Sequence, residues 1–488
     1  MKKRNQQAAM IAIAMMIGGG ALLPFQAPLS AASASNATSV SVEQAMAKLA
    51  EQGVLQGGGD GKLHAERHLT NAEFIKMAVL ALGLNVEVAS ELPNAKWYDV
   101  YVSAALAGGL LAQDAQFQPN KPLAAADIAP MIAKALQRDV KSAQYWMDAL
   151  RIGQTNMTRG EAAQLLLQAQ QAVRSELASI VSVKALNKIT LEVVFDQPMT
   201  LADEATAAAQ ANFIFSNGLK LVNQPRLKTG SVATYIVPVQ TMKPGESFSL
   251  TYKGKQTFNV TGGEETIKLK DVRQVTNDTF EVSSLREDGV IDYGYVISAY
   301  AGGRGANAIV LEADNTFQGK PLQIISSLAT RQAVLTPENG APITVNYVGF
   351  TQSTDGKQEP KFRLPAGTSL QPGVTYTVTS DWFELANKTF TAQQIAPLAI
   401  ASAANIDGAS ISVSLTADPG DELFAYRSVQ LKGKDGSVLT AQYRVQTRKG
   451  EIGIFDIQNG GKLAAGMTYD VTPVGTWATA NAIVLDVK

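Results

Sequence analysis

The spacing of apolar residues divides the chain into two parts. Between about residues 40 and 176, apolar residues recur every three or four positions, which is typical of amphipathic helices. One such helix face consists of Val42, Ala45, Met46 and Leu49. From about Ala178 onward, Val- and Thr-rich runs alternate with period two, as in 190–195. The sequence therefore predicts a multidomain protein, with an α-helical N-terminal third followed by an all-β remainder.

The helical part repeats one helix–loop–helix unit three times, at about residues 40–90, 91–138 and 139–175. The first copy has a glycine-rich loop at 57–61, and the third copy has lost most of its loop. A sequence that repeats a helical unit in this way predicts that the copies pack side by side as a bundle.

The β part repeats as well, because residues 186–193 resemble residues 275–282, with a weaker third copy at 406–413. We predict three β-sandwiches, at 177–263, 264–393 and 394–488, each near the usual size for that architecture. The middle one is expected to carry an insertion between about Tyr295 and Asn346. Two dipeptides predict hairpin turns, Asp355-Gly356 and Asp435-Gly436.

The first 34 residues have the pattern of a secretory signal peptide. Lys2, Lys3 and Arg4 form a positive n-region, an apolar stretch follows from Ala8 to Leu23, and 32–34 offers an A-x-A cleavage site. No later stretch approaches the roughly 20 apolar residues that a membrane helix needs. We therefore expect a secreted protein without an integral membrane span once the signal is removed.

Composition limits the classes of function that the chain can have. The formal net charge of -1 gives no basic footprint for nucleic-acid binding. The chain has no cysteine and only two histidines, His64 and His68, so thiol nucleophiles are excluded and the commonest general base is scarce. We expect no cofactor, no metal site and no catalytic residue. Absence of cysteine in a secreted protein also favours a Gram-positive cell surface.

Two helix starts carry the same motif. Thr70-x-x-Glu73 and Thr158-x-x-Glu161 match a capping box, which is by itself a complete structural reason for these residues. Capping does not explain Arg159, which follows Thr158 beside unpaired helix amides. A guanidinium at a helix N-terminus is suited to a carboxylate, although a solvated arginine is the simpler alternative.

These three copies behind a signal peptide resemble the S-layer homology (SLH) domain, and Met157-Thr158-Arg159-Gly160-Glu161 is the segment nearest to its I-T-R-A-E motif. The resemblance covers residues 40–175. It implies a three-repeat helical bundle whose grooves bind secondary cell wall polymer, often through a pyruvylated sugar that meets the motif arginine. The implied binding residues are Arg159, Thr158, Glu161, Thr70, Asn71, Glu73, Gly58 and Gly59.

The first two copies depart from the motif. Asn71 stands at the arginine position of the first copy, and the second copy reads Ala124-Ala125-Ala126-Asp127, which retains only an acidic residue. Two of three sites therefore lack the cation. Gly58 and Gly59 either let sugar approach the backbone or form a plain turn.

Tryptophan side chains offer a second means of sugar contact. Trp97 and Trp146 either stack on sugar or, as we expect, pack in the core. Trp382 and Trp477 either mark a ligand face or, as we expect, lie between the sheets.

The sequence as a whole predicts a non-catalytic envelope protein. It would be anchored to wall polysaccharide through SLH repeats, would display immunoglobulin-like modules as S-layer or spacer units, and could self-associate in a surface layer. A surface adhesin or carbohydrate-binding protein is the first alternative, and a wall-associated hydrolase is the second.

Overall fold

The fold was analysed in a computed structural model of the 488-residue chain. It describes residues 40–86, 96–113, 116–153, 155–284, 296, 299–300, 308–348, 359–420 and 423–488. The predicted signal peptide at 1–34 and the predicted turn at Asp355-Gly356 lie outside these residues.

Six helices form the N-terminal part of the described chain. They are α1 (Val42–Glu51), α2 (Asn71–Ala81), α3 (Asp99–Ala107), α4 (Ala125–Ala135), α5 (Val140–Ala149) and α6 (Arg159–Gln171). Each sequence copy supplies two of them, and their apolar faces share one hydrophobic cluster with Phe74, Ile128 and Leu166 fully buried. The second helix of each copy packs against the first helix of the next copy, α2 on α3 and α4 on α5, and α6 returns to α1.

A ring of three backbone hydrogen bonds joins the copies at the starts of α2, α4 and α6. The Leu69 amide donates to the Met157 carbonyl at 3.1 Å, the Met157 amide to the Leu123 carbonyl at 3.2 Å, and the Leu123 amide to the Leu69 carbonyl at 3.0 Å. All three side chains are buried. Each copy therefore donates to one neighbour and accepts from the other, so the helical part is closed and has approximate threefold symmetry.

The first β unit is a sandwich of two sheets. Its elements are β1 (Ile180–Asn187), β2 (Thr190–Phe195), α7 (Leu201–Glu204), α8 (Thr206–Asn212), β3 (Phe213–Phe215), β4 (Arg226–Leu227), β5 (Thr234–Pro238), β6 (Ser247–Tyr252) and β7 (Thr257–Thr261). One sheet has the order β1-β2-β5-β4 and the other β3-β6-β7. Phe195, Tyr235 and Tyr252 fill the space between them.

The second β unit begins at β8. Its elements are β8 (Ile267–Gln274), β9 (Thr279–Ser284), β10 (Thr316–Phe317), β11 (Lys320–Pro321), β12 (Gln332–Pro337), β13 (Ile343–Tyr347), β14 (Lys361–Arg363), β15 (Thr375–Thr379), β16 (Phe383–Asn387) and β17 (Thr389–Thr391). All except β10 and β11 belong to one curved sheet of order β16-β8-β9-β14-β13-β12-β15-β17.

The third β unit repeats this arrangement. Its strands are β18 (Ala399–Asn405), β19 (Ser410–Leu415), β20 (Ser428–Gly433), β21 (Val438–Tyr443), β22 (Ile452–Ile457), β23 (Thr468–Pro473), β24 (Thr479–Ala480) and β25 (Ile483–Asp486). They form a sheet of order β24-β18-β19-β22-β21-β20-β23-β25. The predicted turn at Asp435-Gly436 joins β20 to β21, with Gly436 at a φ of +86°.

The three β units share one strand order. We leave out β10, β11, β16 and β24 and letter the remaining seven strands of each unit A to G along the chain. A-B-E-D and C-F-G are then neighbours in every unit, which is the order of an immunoglobulin constant-type sandwich. The prediction of several β domains is therefore confirmed. The boundaries of the units as independently folding domains stay a prediction.

The predicted insertion in the middle unit is only partly correct. The range 295–346 includes β12 and most of β13, which are strands of the sheet, so the extra segment lies between β9 and β12. A local signal for that limit was present, because the hairpin dipeptide Asn339-Gly340 separates two apolar runs at 332–337 and 343–347. The described part of the extra segment packs on the first β unit, where Tyr300, Leu311 and Ile324 contact Ile236.

Candidate functional site

Capping boxes form at two of the three helix starts of the ring. At α6, the Thr158 hydroxyl accepts from the Glu161 amide at 3.3 Å, and the Glu161 carboxylate accepts from the Thr158 amide at 2.7 Å. At α2, Thr70 and Glu73 make the same pair of bonds, at 3.4 and 3.0 Å. These four predicted site residues therefore have a local structural role. The α4 start lacks it, because Ala124 offers no side-chain cap.

Arg159 is the first residue of α6 and lies against the loop of the first copy. Its amide donates to the Arg67 carbonyl at 2.9 Å, and its Nη2 donates to the Gln56 carbonyl at 2.6 Å. Its Nε is buried and has no hydrogen-bond partner. Burial lowers the pKa of Arg159, and the charge of Arg67 acts in the same direction. A guanidinium stays protonated in proteins, so a cation with an unsatisfied donor remains here.

Arg67 is a second cation at this position. It forms a two-pronged ion pair with Glu73, with Nη2 2.7 Å from Oε1 and Nη1 3.2 Å from Oε2. Burial raises the pKa of Glu73, but the hydrogen bonds from Arg67 and Thr70 outweigh it, so that pKa is lowered. Two guanidinium groups thus face one carboxylate, which leaves a net positive charge. We call the surface formed by Gln56, Arg67 and Arg159 the Arg159 groove.

The equivalent positions of the other copies show what is special about this groove. Asn71 begins α2, its amide donates to the Lys121 carbonyl at 3.0 Å, and its Nδ2 donates to the Gln118 carbonyl at 3.0 Å. Ala125 begins α4, and its amide donates to the Thr155 carbonyl at 2.9 Å. The same backbone hydrogen bond therefore occurs in all three copies, whereas only the third copy has an arginine at this position.

The glycine loop is a tight turn beside the groove. The Gly58 amide donates to the Lys62 carbonyl at 2.9 Å, and Asp60 Oδ1 lies 3.0 Å from His64 Nε2. A Cβ atom at Gly58 would lie 3.0 Å from Asp60 Oδ1, whereas one at Gly59 would meet nothing within 4 Å. Close packing therefore accounts for Gly58, and Gly59 lies at an open turn.

The four tryptophans divide between core and surface. Trp146 is buried, and its Nε1 donates to the Gly230 carbonyl of the first β unit at 2.7 Å. Trp382 and Trp477 are also buried, as predicted. Trp97 is 56% exposed, so the expectation that it packs in the core is wrong. It lies in the turn that precedes α3 and contacts Tyr98 edge-on, which leaves its outer face in solvent.

Sequence reasoning missed Gln56 and Arg67 as components of the groove. Both lie outside the Thr-x-x-Glu motif, and Arg67 comes three residues before Thr70. Lys121 stands at the same distance before Ala124, so a basic residue recurs at this point of two loops. That recurrence is the signal that would have identified Arg67.

The described residues were also searched for membrane-spanning helices and for clusters of metal ligands. None of their helices combines the length and apolar character needed to cross a membrane. Within the same ranges, no group of three or more histidine, aspartate or glutamate side chains is arranged to hold a metal ion.

Comparisons with known proteins leave the family open. No protein-family model matches the chain, and no curated protein matches it. Solved structures similar to it include surface layer protein SbsC, domains 1-6 (12% identity over 91% of this chain and 72% of that chain, TM-score 0.15). The S-layer protein rSbsC(31-844) is 12% identical over 93% of this chain and 87% of that chain, with a TM-score of 0.16. L,D-transpeptidase 3 from Mycobacterium tuberculosis is 10% identical over 44% of this chain and 91% of that chain, with a TM-score of 0.15. Superpositions at this level carry no argument about fold or function.

Proposed function

We propose that this protein is a non-catalytic component of the bacterial cell envelope that is anchored to an acidic wall polysaccharide through the Arg159 groove. The observation that carries the proposal is the partly buried guanidinium of Arg159, whose Nε has no hydrogen-bond partner, beside the second cation Arg67. We also propose that the closed helical ring is an SLH bundle, which rests on the motif at 157–161 and on the threefold arrangement of the copies.

The groove is suited to a carboxylate on the polymer. A carboxylate oxygen that met the solvent-facing part of the Arg159 guanidinium would gain a charge-assisted hydrogen bond. The start of α6 adds the positive end of a helix dipole, since Arg159 is its first residue. Glu73 is already held by Arg67, so a second anion meets a net positive charge. A pyruvylated sugar of secondary cell wall polymer has the required chemistry.

The three β units would be displayed outward as S-layer or spacer modules. Secretion rests on the predicted signal peptide, and a single good groove implies weaker anchoring than three would give. An adhesin remains the first alternative, with a ligand on the β units; it would stay monomeric where an S-layer protein forms two-dimensional arrays. A wall hydrolase is the second, and would show glycan cleavage that disappears on mutating one carboxylate.

Sedimentation with purified cell walls tests the anchor. Arg159→Ala removes a hydrogen bond between charged groups, worth roughly 1.5 to 3 kcal/mol, so retention should weaken by about 10- to 100-fold. Lys141→Ala is the control, since it removes one exposed positive charge from α5 of the same bundle. Circular dichroism and thermal melts of both variants establish that they are folded.

The outcomes separate three explanations. Wall binding by Arg159→Ala equal to that of the unmodified protein would remove Arg159 from the site. Equal losses in Arg159→Ala and Lys141→Ala would indicate a diffuse charge effect. Walls stripped of pyruvyl groups should retain less protein, and unchanged retention on them would point to recognition of a neutral sugar.

A further inference from the structure

Four buried polar side chains meet where the extra segment of the second β unit packs on the first. Lys228 follows β4, Glu192 lies on β2, and Tyr300 and Asn315 belong to the extra segment. None of the four is more than 6% exposed. Burial of an amine, an amide and a carboxylate in mutual contact is costly unless every group is satisfied, and it also places reactive groups together without water.

The amide of Asn315 is oriented by its three partners. Its Oδ1 accepts from Lys228 Nζ at 3.0 Å and from the Tyr300 hydroxyl at 2.5 Å, and its Nδ2 donates to Glu192 Oε2 at 3.1 Å. Two donors on one side and a carboxylate on the other fix which atom is oxygen and which is nitrogen. Lys228 Nζ is therefore hydrogen-bonded to the carbonyl oxygen of this side-chain amide, and it also donates to the Glu312 carbonyl at 2.6 Å.

Burial shifts the amine of Lys228 toward its uncharged form. Burial lowers the pKa of Lys228 to about 8, although the charge of Glu192 opposes the shift. The uncharged amine is the nucleophilic form of lysine. The other oxygen of Glu192, Oε1, lies 2.8 Å from Lys184 Nζ, which holds the carboxylate in place from the solvent side.

We propose that Lys228 and Asn315 are the partners of an intramolecular isopeptide bond that forms after folding. Lys228 Nζ attacks the side-chain carbonyl carbon of Asn315, and the Tyr300 hydroxyl stabilises the negative charge that develops on Oδ1. Once Nζ is attached, both nitrogens are bonded to the same carbon, so Glu192, which is hydrogen-bonded to Nδ2, takes a proton from Nζ and returns it to the leaving Nδ2. The C–Nδ2 bond breaks as the C–Nζ bond forms, and ammonia leaves. Nothing is oxidised or reduced, and no co-reactant is needed.

The bond would fasten two β units to each other. Lys228 belongs to the first unit and Asn315 to the second, so the cross-link closes the chain between them into a covalent loop. It would lie where other bonds already join the units, including the Thr229 amide to the Ala299 carbonyl at 2.7 Å. A covalent tie at this junction would keep the units together under a pulling force. The inference does not depend on the proposed polysaccharide site.

Mass spectrometry of the purified full-length chain tests the bond. Loss of ammonia lowers the intact mass by about 17 Da, and a tryptic digest should yield one branched peptide that contains both Lys228 and Asn315. On a denaturing gel, the looped chain should migrate faster than a linear one. Glu192→Gln and Lys228→Arg should restore the full mass and the slower migration.

Asn223→Ala is the matched control, because Asn223 Nδ2 donates to the Ser327 hydroxyl at 3.0 Å across the same junction, and the hydrogen bonds of this side chain are not to a lysine. It should retain the cross-link. Separate, unmodified Lys228 and Asn315 peptides from folded wild-type protein incubated at pH 9 would overturn the proposal, and that measurement needs no variant. A cross-link of normal yield in Glu192→Gln would overturn the role of Glu192.

Discussion

The junction between the second and third β units should depend on acid through Asp278. Arg427 forms a two-pronged ion pair with Asp278, with Nη1 2.8 Å from Oδ2 and Nη2 2.7 Å from Oδ1. Arg363 lies 4.0 Å from the same carboxylate and donates to the Ala425 carbonyl at 2.6 Å. The charge of Asp278 thus holds two arginines at the contact between the units.

The magnitude follows from the pKa of this carboxyl group. Burial raises the pKa of Asp278, but hydrogen bonds and charge from Arg427 outweigh it and lower that pKa from 3.8 to about 2. A shift of this size corresponds to about 2 kcal/mol of stability. Because the folded pKa lies below the unfolded one, this stability is fully present above pH 4 and is lost as the pH falls through about 2.

Denaturant unfolding measures the effect through the fluorescence of Trp382 and Trp477, which lie in the two units concerned. Asp278→Asn should lower the free energy of unfolding by about 2 to 4 kcal/mol at pH 7, since it leaves Arg427 buried without its counter-charge. Asp456→Asn is the control. Its partner is Arg444 on an exposed surface of the third unit, so its loss should cost less than about 1 kcal/mol.

The pH dependence of stability gives a second, independent test. Other carboxylates titrate in the same range, so the relevant quantity is the difference between wild type and Asp278→Asn. That difference should shrink as the pH falls from 4 to 2, because the wild-type carboxyl becomes neutral as well. A constant difference over this range, or a cost at pH 7 no larger than that of Asp456→Asn, would refute the account.

Two further predictions concern the helical bundle. Asn71→Arg places a guanidinium at the α2 start, where the backbone contacts match those of Arg159, so wall sedimentation should show stronger retention; unchanged retention would mean that the first-copy groove lacks other groups. Trp146→Phe removes the buried hydrogen bond to the Gly230 carbonyl and should cost about 1 to 3 kcal/mol. Hydrogen exchange should then quicken around 228–232, and unchanged exchange there would exclude Trp146 as the link between bundle and β unit.

Much of the candidate site could be predicted because it depends on residues close in sequence. A capping box joins positions three apart, so Thr158 and Glu161 were identified without knowledge of the fold. The same motif located Arg159 on the first turn of a helix. The limits of the middle β unit were predicted less well. The Asn339-Gly340 dipeptide marks the turn between β12 and β13, but which strands join the sheet depends on pairing with strands that are distant in sequence.

The sequence by itself determined the helical third, the all-β remainder, the threefold repeat and the capped helix starts. These follow from side-chain periodicity and from contacts within one turn of helix, which any sufficiently long stretch of chain expresses locally. Only the tertiary structure brought Gln56 to Arg159 and Lys228 to Asn315. The residues of each pair are distant along the chain, and local conformational preferences contain no information about which distant residues will meet. They form because burial of apolar surface closes the helical ring and packs the extra segment on its neighbour.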